Sequence, residues 1–195
     1  MGSLKGISMS LSGRKRDDGI DFYATPEWAT EELLKKESFK GDILEPCSGS
    51  GAISKVLEKS GYNVISSDLR EDEGVYGYGG IDLFEIEKTE ATNIISNPPF
   101  FCATEVIEKC IDLIPEGGNV AMILKLSFLE SARRYPFWKG TPLKKVYIFC
   151  KRVVFWNEIL QLDDGKRGKH NGTIPFAWYI WEKGYKGEPI IDWIL

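Results

Sequence analysis

Histidine is nearly absent from this chain and cysteine is sparse: His170 stands alone, and Cys47, Cys102, Cys110 and Cys150 form no CxxC pair. Zinc-ligand spacing is therefore missing, no metal is expected, and the thiol pattern suits a reducing compartment. Long apolar runs are missing too. The longest, Ile174 to Trp181, falls well short of the ~20 residues a membrane span requires, and the first 19 residues carry no apolar segment of a secretory leader. These absences predict a soluble, cytoplasmic protein with no membrane partner. No charge of one sign dominates either, since 25 Lys+Arg stand against 29 Asp+Glu for a net charge of −4. Binding of nucleic acid by bulk charge is thereby excluded, and only a local basic patch could serve that purpose. Internal repeats and low-complexity tracts are lacking as well.

What is present is the balance of an ordinary globular protein, 43% hydrophobic and 28% charged over 195 residues, enough for one domain of common size and a sizeable core. Residues 1–20 are rich in glycine, serine and charge and are expected to form a flexible segment, leaving 21–195 as a single domain. Thr25 followed by Pro26 reads as an N-cap and first helical position, with Trp28, Ala29, Leu33 and Leu34 at helical spacing up to about Lys36. From Asp42 onward, short apolar runs alternate with amphipathic stretches. ILE at 43–45 precedes a helix to about Ser60, then come NVISS from Asn63, TNIIS at 92–96, a helix from about Ala103 to Leu113, and NVAMIL at 119–124. That alternation predicts an α/β fold, Rossmann-like and doubly wound around a mainly parallel sheet. VYIFCKRVVFW at 146–156 and TIPFAWYIWEKGY at 173–185 follow with no helix between them, which predicts an antiparallel hairpin at the edge of the sheet.

Two segments carry chemistry. EPCSGSGAISKVLEK sets Gly49 and Gly51 between a buried strand and a helix, where a missing Cβ permits a tight turn and close approach of a ligand. Asp68 follows the second strand, 17 residues past Gly51, close to the spacing of an acid that receives ribose hydroxyls. A dinucleotide and S-adenosylmethionine both fit that pair. Ser54 stands where GxGxxG has its third glycine, and Glu45 directly before the loop would repel a pyrophosphate yet suit the cationic amino-acid end of S-adenosylmethionine. A strand-to-helix turn with no ligand is the plain alternative.

Asn97-Pro98-Pro99-Phe100 follows the apolar run at 92–96 and so belongs at the same end of the sheet. The Asn97 side-chain oxygen and the Pro98 carbonyl can each accept a hydrogen bond from a planar amine, the prolines stiffen the turn, and Phe100 offers a face for stacking. An exocyclic amine is a poor nucleophile while its lone pair is delocalised into the ring. Two acceptors steer it toward sp3 character, and orientation then does the remaining work of an in-line displacement. The alternative here is a rigid turn after a strand.

With these motifs the sequence resembles the class I S-adenosylmethionine-dependent methyltransferases, and among them the DNA adenine-N6 enzymes of the NPPF/NPPY type. FYATPEW at 22–28 resembles the segment that helps hold the methionine part of the cofactor, which implies cofactor roles for Tyr23, Thr25 and Pro26. EPCSGSG resembles the cofactor loop, implicating Glu45, Pro46, Cys47, Gly49 and Gly51. Asp68 with Leu69 matches the ribose acid, Asp82 the residue near the cofactor's adenine, and NPPF the catalytic motif, with Asn97 also against the cofactor. LKLSFLES at 124–131, VYIFCKRVVF at 146–155 and AWYIWEKGY at 177–185 are similar to the small enzymes carried by phages and prophages. The resemblance implies transfer of methyl from S-adenosylmethionine to the N6 amine of adenine in DNA, leaving S-adenosylhomocysteine.

The better-known members carry a separate target-recognition domain, and none is expected within these 195 residues, so no recognised sequence is assigned. The residues that could touch a polynucleotide are Arg14, Lys15 and Arg16, the pair Arg133 and Arg134, and the loop with Lys166, Arg167, Lys169 and His170, each of which reads equally well as solvated surface. Among the aromatics, Phe100 is the stacking candidate. Trp178 and Trp181 lie three apart in a strand and should face opposite ways, at least one into the core, while Trp138 and Trp156 carry no assigned role. Cys47, Lys125 and Glu130 are given no catalytic part. NPPF also serves enzymes that methylate amines of RNA bases or the amide of protein glutamine. A non-catalytic nucleic-acid-binding protein on the same fold is the reading of another class.

Overall fold

The computed structural model describes residues 24–161, 167–169 and 174–195, with only the backbone for 156–161 and 167–169. The order of elements is α1 (Glu27–Lys36), β1 (Ile43–Glu45), α2 (Ser54–Lys59), β2 (Val64–Ser66), β3 (Asn93–Ser96), α3 (Ala103–Leu113), β4 (Asn119–Lys125), α4 (Tyr135–Gly140), β5 (Leu143–Phe149), β6 (Trp156–Gln161), β7 (Arg167–Lys169), β8 (Phe176–Glu182) and β9 (Ile190–Ile194).

Seven of the strands form one sheet in the order β2-β1-β3-β4-β8-β5-β9, and β6 pairs with β7 separately. The strands β2, β1, β3 and β4 run parallel. β1, β3 and the middle of β4 are short apolar runs buried on both faces, as parallel strands covered by helices must be, while β2 at the edge is partly exposed. β8 pairs antiparallel with β4 on one side and β5 on the other. The fold class thus stands as expected, with the antiparallel pair on the β4 side of the parallel strands. Three strands were not foreseen: β6 and β7, in the polar stretch between the two expected late strands, and β9, IIDWI, which lies outside the antiparallel pair and parallel to β5.

Helices cover both faces. α3 turns Val106, Ile107, Cys110 and Ile111 at helical spacing into one layer of the core, together with Val120, Met122 and Trp181. Ala29, Leu33, Ile53 and Leu57, from α1 and the α2 region, fill the other layer with Ile123 and Trp178. Trp178 and Trp181 therefore face opposite ways, as their spacing predicts, and both are fully buried. Trp178 Nε1 donates to the Ala29 carbonyl at 2.8 Å, tying α1 to the centre of the sheet. Trp138 packs with its ring plane within 5° of that of Trp181.

Two local expectations are corrected. Pro26, not Thr25, is the N-cap of α1, in extended conformation at φ −63°, ψ 137°, with no side-chain cap. Its carbonyl accepts from the Ala29 N–H at 2.9 Å, and extended backbone at Pro26 cannot also be the first helical turn. The strand placed at 146–156 runs instead from Leu143 to Phe149. After Phe149 the Cys150 N–H donates to the Ile194 carbonyl at 2.8 Å, and the chain leaves the sheet with Val153 and Phe155 still buried in the α1-side layer.

Candidate active site

The direction of the strands decides which loops meet. Because β1, β2, β3 and β4 are parallel neighbours, the segments after Glu45, Ser66, Ser96 and Lys125 all leave at one edge, the carboxyl edge, where ligands bind in open α/β sheets. The N-termini of α2 and α3 begin there. α1 also points its start that way: the Trp28 ring lies 5.4 Å from that of Phe149 at the end of β5, while Glu37 past its other end accepts from Lys145 Nζ at 2.6 Å near the strand's start. The glycine loop, Asp68, the NPPF segment and Thr25 thus share one side of the molecule.

The glycine loop is held from within. Glu45 is buried, and its Oε2 accepts from the Ser54 N–H at 2.8 Å and from the Ser54 hydroxyl, so it caps the first turn of α2. Ser54 Oγ lies 2.6 Å from Ser66 Oγ on the neighbouring strand. Burial raises the pKa of Glu45 to about 8, against the Ser54 hydrogen bonds that lower it, and Asp68 and Glu58 raise it further. Around neutral pH the group therefore keeps its proton, and attraction of a cation by Glu45 requires that proton to leave. Burial, then the charge of Asp68, likewise pushes the neighbouring Cys47 thiol up, which leaves it inert as a nucleophile. Pro46 is buried beside it.

Asp68 joins the second strand to the loop. Its Oδ2 accepts from the Gly49 N–H at 2.8 Å and its Oδ1 from the Arg70 N–H at 2.9 Å. Leu69 beside it is half-buried. Asp82 Oδ1 accepts from the Phe84 N–H at 2.9 Å, capping a 3₁₀ turn at Leu83–Glu85.

A residue that the sequence did not flag completes this half of the site. Tyr76 donates its N–H to the Gly49 carbonyl at 2.8 Å and accepts from Ser48 Oγ at 2.7 Å on its own carbonyl. Its ring lies where a Cβ on Gly51 would be, 2.4 Å from the nearest ring carbon, and Gly51 has φ +78°. Gly51 is thus demanded by Tyr76 and by a left-handed backbone. The expectation that its missing side chain makes room for a ligand is corrected to that extent. No local pattern marks Tyr76, because its partner lies 25 positions away.

The NPPF segment is held by packing. Asn97 is half-buried and Pro98 buried, and the Pro99 carbonyl accepts from the Cys102 N–H at 3.3 Å as the chain enters a 3₁₀ turn over Phe100–Cys102. The Phe100 ring lies 5.9 Å from that of Phe176, tilted by 40°. Lys125 Nζ sits over the same ring, 5.0 Å from its centroid. Lys125, to which the residues alone assign no catalytic part, reaches Phe100 because β3 and β4 end side by side.

Among the described residues four buried hydroxyls have no hydrogen-bond partner: Thr25 Oγ1, Thr30 Oγ1, Ser67 Oγ and Ser96 Oγ. Thr30 lies within α1, and the other three lie where chain meets the carboxyl edge, before α1, past β2 and at the tip of β3. Orphaned buried polar atoms are costly, and a polar ligand at this edge would satisfy those three. Together with the Asp68 carboxylate, they form a donor and acceptor set that suits a ligand with hydroxyl and amine groups, which S-adenosylmethionine is.

Of the basic residues, Arg134 is committed to its own chain: Nε donates to the Phe128 carbonyl and a terminal nitrogen to the Glu130 carbonyl, both at 2.8 Å. Arg133 is exposed. Arg14, Lys15, Arg16, Tyr23, Lys166 and His170 lie outside the described residues, as do the side chains of Trp156, Arg167 and Lys169. Among the described residues no cluster of His, Cys, Asp or Glu could hold a metal ion, and no helix is long and apolar enough to cross a membrane.

No protein-family profile matches the chain, and no curated protein matches it in sequence. Solved structures do share its fold. A Listeria monocytogenes protein named as a class I S-adenosylmethionine-dependent methyltransferase superposes with a TM-score of 0.56 at 15% identity, covering 94% of this chain and 69% of its own. A Lactococcus lactis protein named as a hemolysin gives 0.56 at 13% identity, with 85% and 91% covered. The modification subunit of a type I restriction enzyme from Vibrio vulnificus gives 0.56 at 10% identity, covering 87% of this chain and 45% of that one. At such identities the likeness establishes the fold, a Rossmann-like methyltransferase fold, and leaves the activity to the site itself.

Proposed function

We propose that this protein transfers a methyl group from S-adenosylmethionine to the exocyclic N6 amine of adenine in DNA, as a cytoplasmic enzyme whose residues 21–195 act as one catalytic domain. The observation that carries the reading is the parallel pairing of β1 with β3, which sends the glycine loop and the NPPF segment out of the sheet side by side. The methyltransferase-named neighbour and the restriction-modification subunit on the same fold support the reaction and a nucleic-acid substrate respectively.

In this reading Thr25, with Tyr23 and Pro26, holds the methionine end of the cofactor. The Glu45–Cys47 strand end and Gly49–Gly51 form the floor, Asp68 with Leu69 takes the ribose hydroxyls, and Asp82 lies toward the adenine. S-adenosylmethionine supplies a methyl carbon on a cationic sulfur, already activated for displacement. Asn97 Oδ1 and the Pro98 carbonyl would accept hydrogen bonds from the two amine N–H groups and localise the nitrogen lone pair for attack on the methyl carbon, with S-adenosylhomocysteine leaving with the bonding pair and the surplus amine proton passing to solvent. Pro99 keeps the turn stiff and Phe100 stacks on the base. Asp68 fixes Gly49, so the loop is organised before any ligand arrives, which lowers the entropy lost on binding. In duplex DNA the base must first be extruded, at a cost of a few kcal/mol.

The test is incubation with methyl-labelled S-adenosylmethionine and, separately, DNA, RNA and protein, followed by digestion and identification of the product. Labelled N6-methyladenine from DNA is the expected outcome. Label in RNA or in glutamine would replace the substrate, and cofactor binding with no transfer to any of the three would sink the enzyme reading.

A further inference from the structure

Lys125 is the last residue of β4, and its backbone is fixed on every side. It stands opposite Phe176 in the β4–β8 register, its carbonyl accepts from the Tyr179 hydroxyl at 3.1 Å, and the next N–H, of Leu126, donates to the Pro175 carbonyl at 2.8 Å. The side chain is less constrained. It is half-buried, enters no ion pair among the described residues, and places Nζ over the Phe100 ring, 5.0 Å from the centroid. Phe176 lies against that ring, with Phe155 behind it at 4.6 Å.

A flat base and an ammonium compete for a ring face. The cation–π contact is a weak attraction when water reaches it, and the ammonium is a compact, strongly hydrated charge with three donors on a flexible stem. A base stacked on Phe100 displaces it from the ring, yet the fixed backbone of Lys125 keeps the charge within the same pocket. An incoming nucleotide brings its own counter-charge, the phosphate one bond from its sugar.

We propose that Lys125 is a substrate-binding residue that changes partners when the target nucleotide enters, surrendering the face of Phe100 to the base and taking up that nucleotide's phosphate. This rests on the nucleic-acid reading above and adds to it one charge-specific contact at the reacting base. It distinguishes polynucleotide from free adenine, and nucleic acid from a protein amide.

The experiment compares wild type with Lys125→Met, which keeps an unbranched stem and removes the charge, and Lys125→Arg, which keeps the charge. Binding and methylation of an adenine-containing oligonucleotide are followed over a salt series, alongside calorimetric titration with S-adenosylhomocysteine. Lys125→Met is expected to bind the oligonucleotide about tenfold more weakly at low salt, with the slope of log affinity against log salt shallower by about 0.7–0.9, one phosphate's worth. Affinity for S-adenosylhomocysteine should be unchanged, and Lys125→Arg should keep the wild-type slope. A wild-type slope in a folded, cofactor-binding Lys125→Met overturns the inference while leaving DNA methylation standing. A wild type that binds S-adenosylhomocysteine but no nucleic acid overturns both.

Discussion

The two halves of the candidate site lie on adjacent strands and are held by different forces. The glycine loop is organised by hydrogen bonds from three directions: Glu45 beneath, Asp68 from β2, and the main chain of Tyr76 folded over it. The NPPF segment has the Pro99–Cys102 main-chain bond of its 3₁₀ turn and adds proline stiffness and aromatic packing against Phe176, with a cation over the Phe100 ring. The difference matches what each half is asked to do. A bond-locked loop suits a ligand of constant shape. A packed aromatic with a displaceable neighbour suits a substrate that enters, turns over and leaves.

That contrast can be broken most severely at Asn97. Asn97→Ala should lower turnover by about a hundredfold or more, the scale for losing one preorganised hydrogen-bonding group, while the dissociation constant for S-adenosylhomocysteine stays nearly constant. Weakened cofactor binding of similar size would mean the two halves are not separable. Gly51→Ala probes the locked half. It forces a Cβ into the Tyr76 ring and a left-handed backbone onto alanine, so about 1–3 kcal/mol of stability should be lost along with cofactor affinity. Adding Tyr76→Ala should recover part of both, because the clash is pairwise. Additive losses would assign the cost to backbone alone.

A finer test uses pH. Glu45 is raised from 4.5 to about 8, so the folded protein holds a proton that the unfolded chain releases near its ordinary value. Stability from this group is complete below pH 4.5 and drains away as pH rises toward about 8, at up to roughly 1.4 kcal/mol per unit. Denaturation midpoints from pH 5 to 8 should fall more steeply in wild type than in Glu45→Gln, which cannot titrate. Equal slopes would show that Glu45 is ionised within the fold. The smallest effect is expected at Arg134, whose donors satisfy main-chain carbonyls of the 127–130 turn. Arg134→Ala should cost about 1 kcal/mol in a denaturation midpoint and leave the salt dependence of oligonucleotide binding untouched.

Much of this architecture was legible in the order of residues. ILE at 43–45 and the helix at 103–113 match their observed limits, because an apolar run bounded by turn residues, or a helical stripe such as Val106, Ile107, Cys110 and Ile111, is a local signal. The placement of Asp68 beside the glycine loop was legible for a similar reason, since parallel strands bring successive loops to one edge. Tyr76 and Lys125 were not, because each acts on a partner reached only through folding. β9 was hidden by its exposure: Ile190, Ile191 and Trp193 are all more than half exposed, so no alternation of buried and exposed positions announces a strand. The limit of β5 at Phe149 is set where its pairing with β9 runs out, at Ile194, 45 positions away, which no window of sequence contains.

The position of β8 bears on how the molecule is made. Although late in the chain, it is wedged between β4 and β5, and its side chains from Phe176 to Trp181 are all buried. As the polypeptide emerges from the ribosome, β4 must wait with an open flank for some fifty residues of translation until this keystone arrives, and only then can the sheet close.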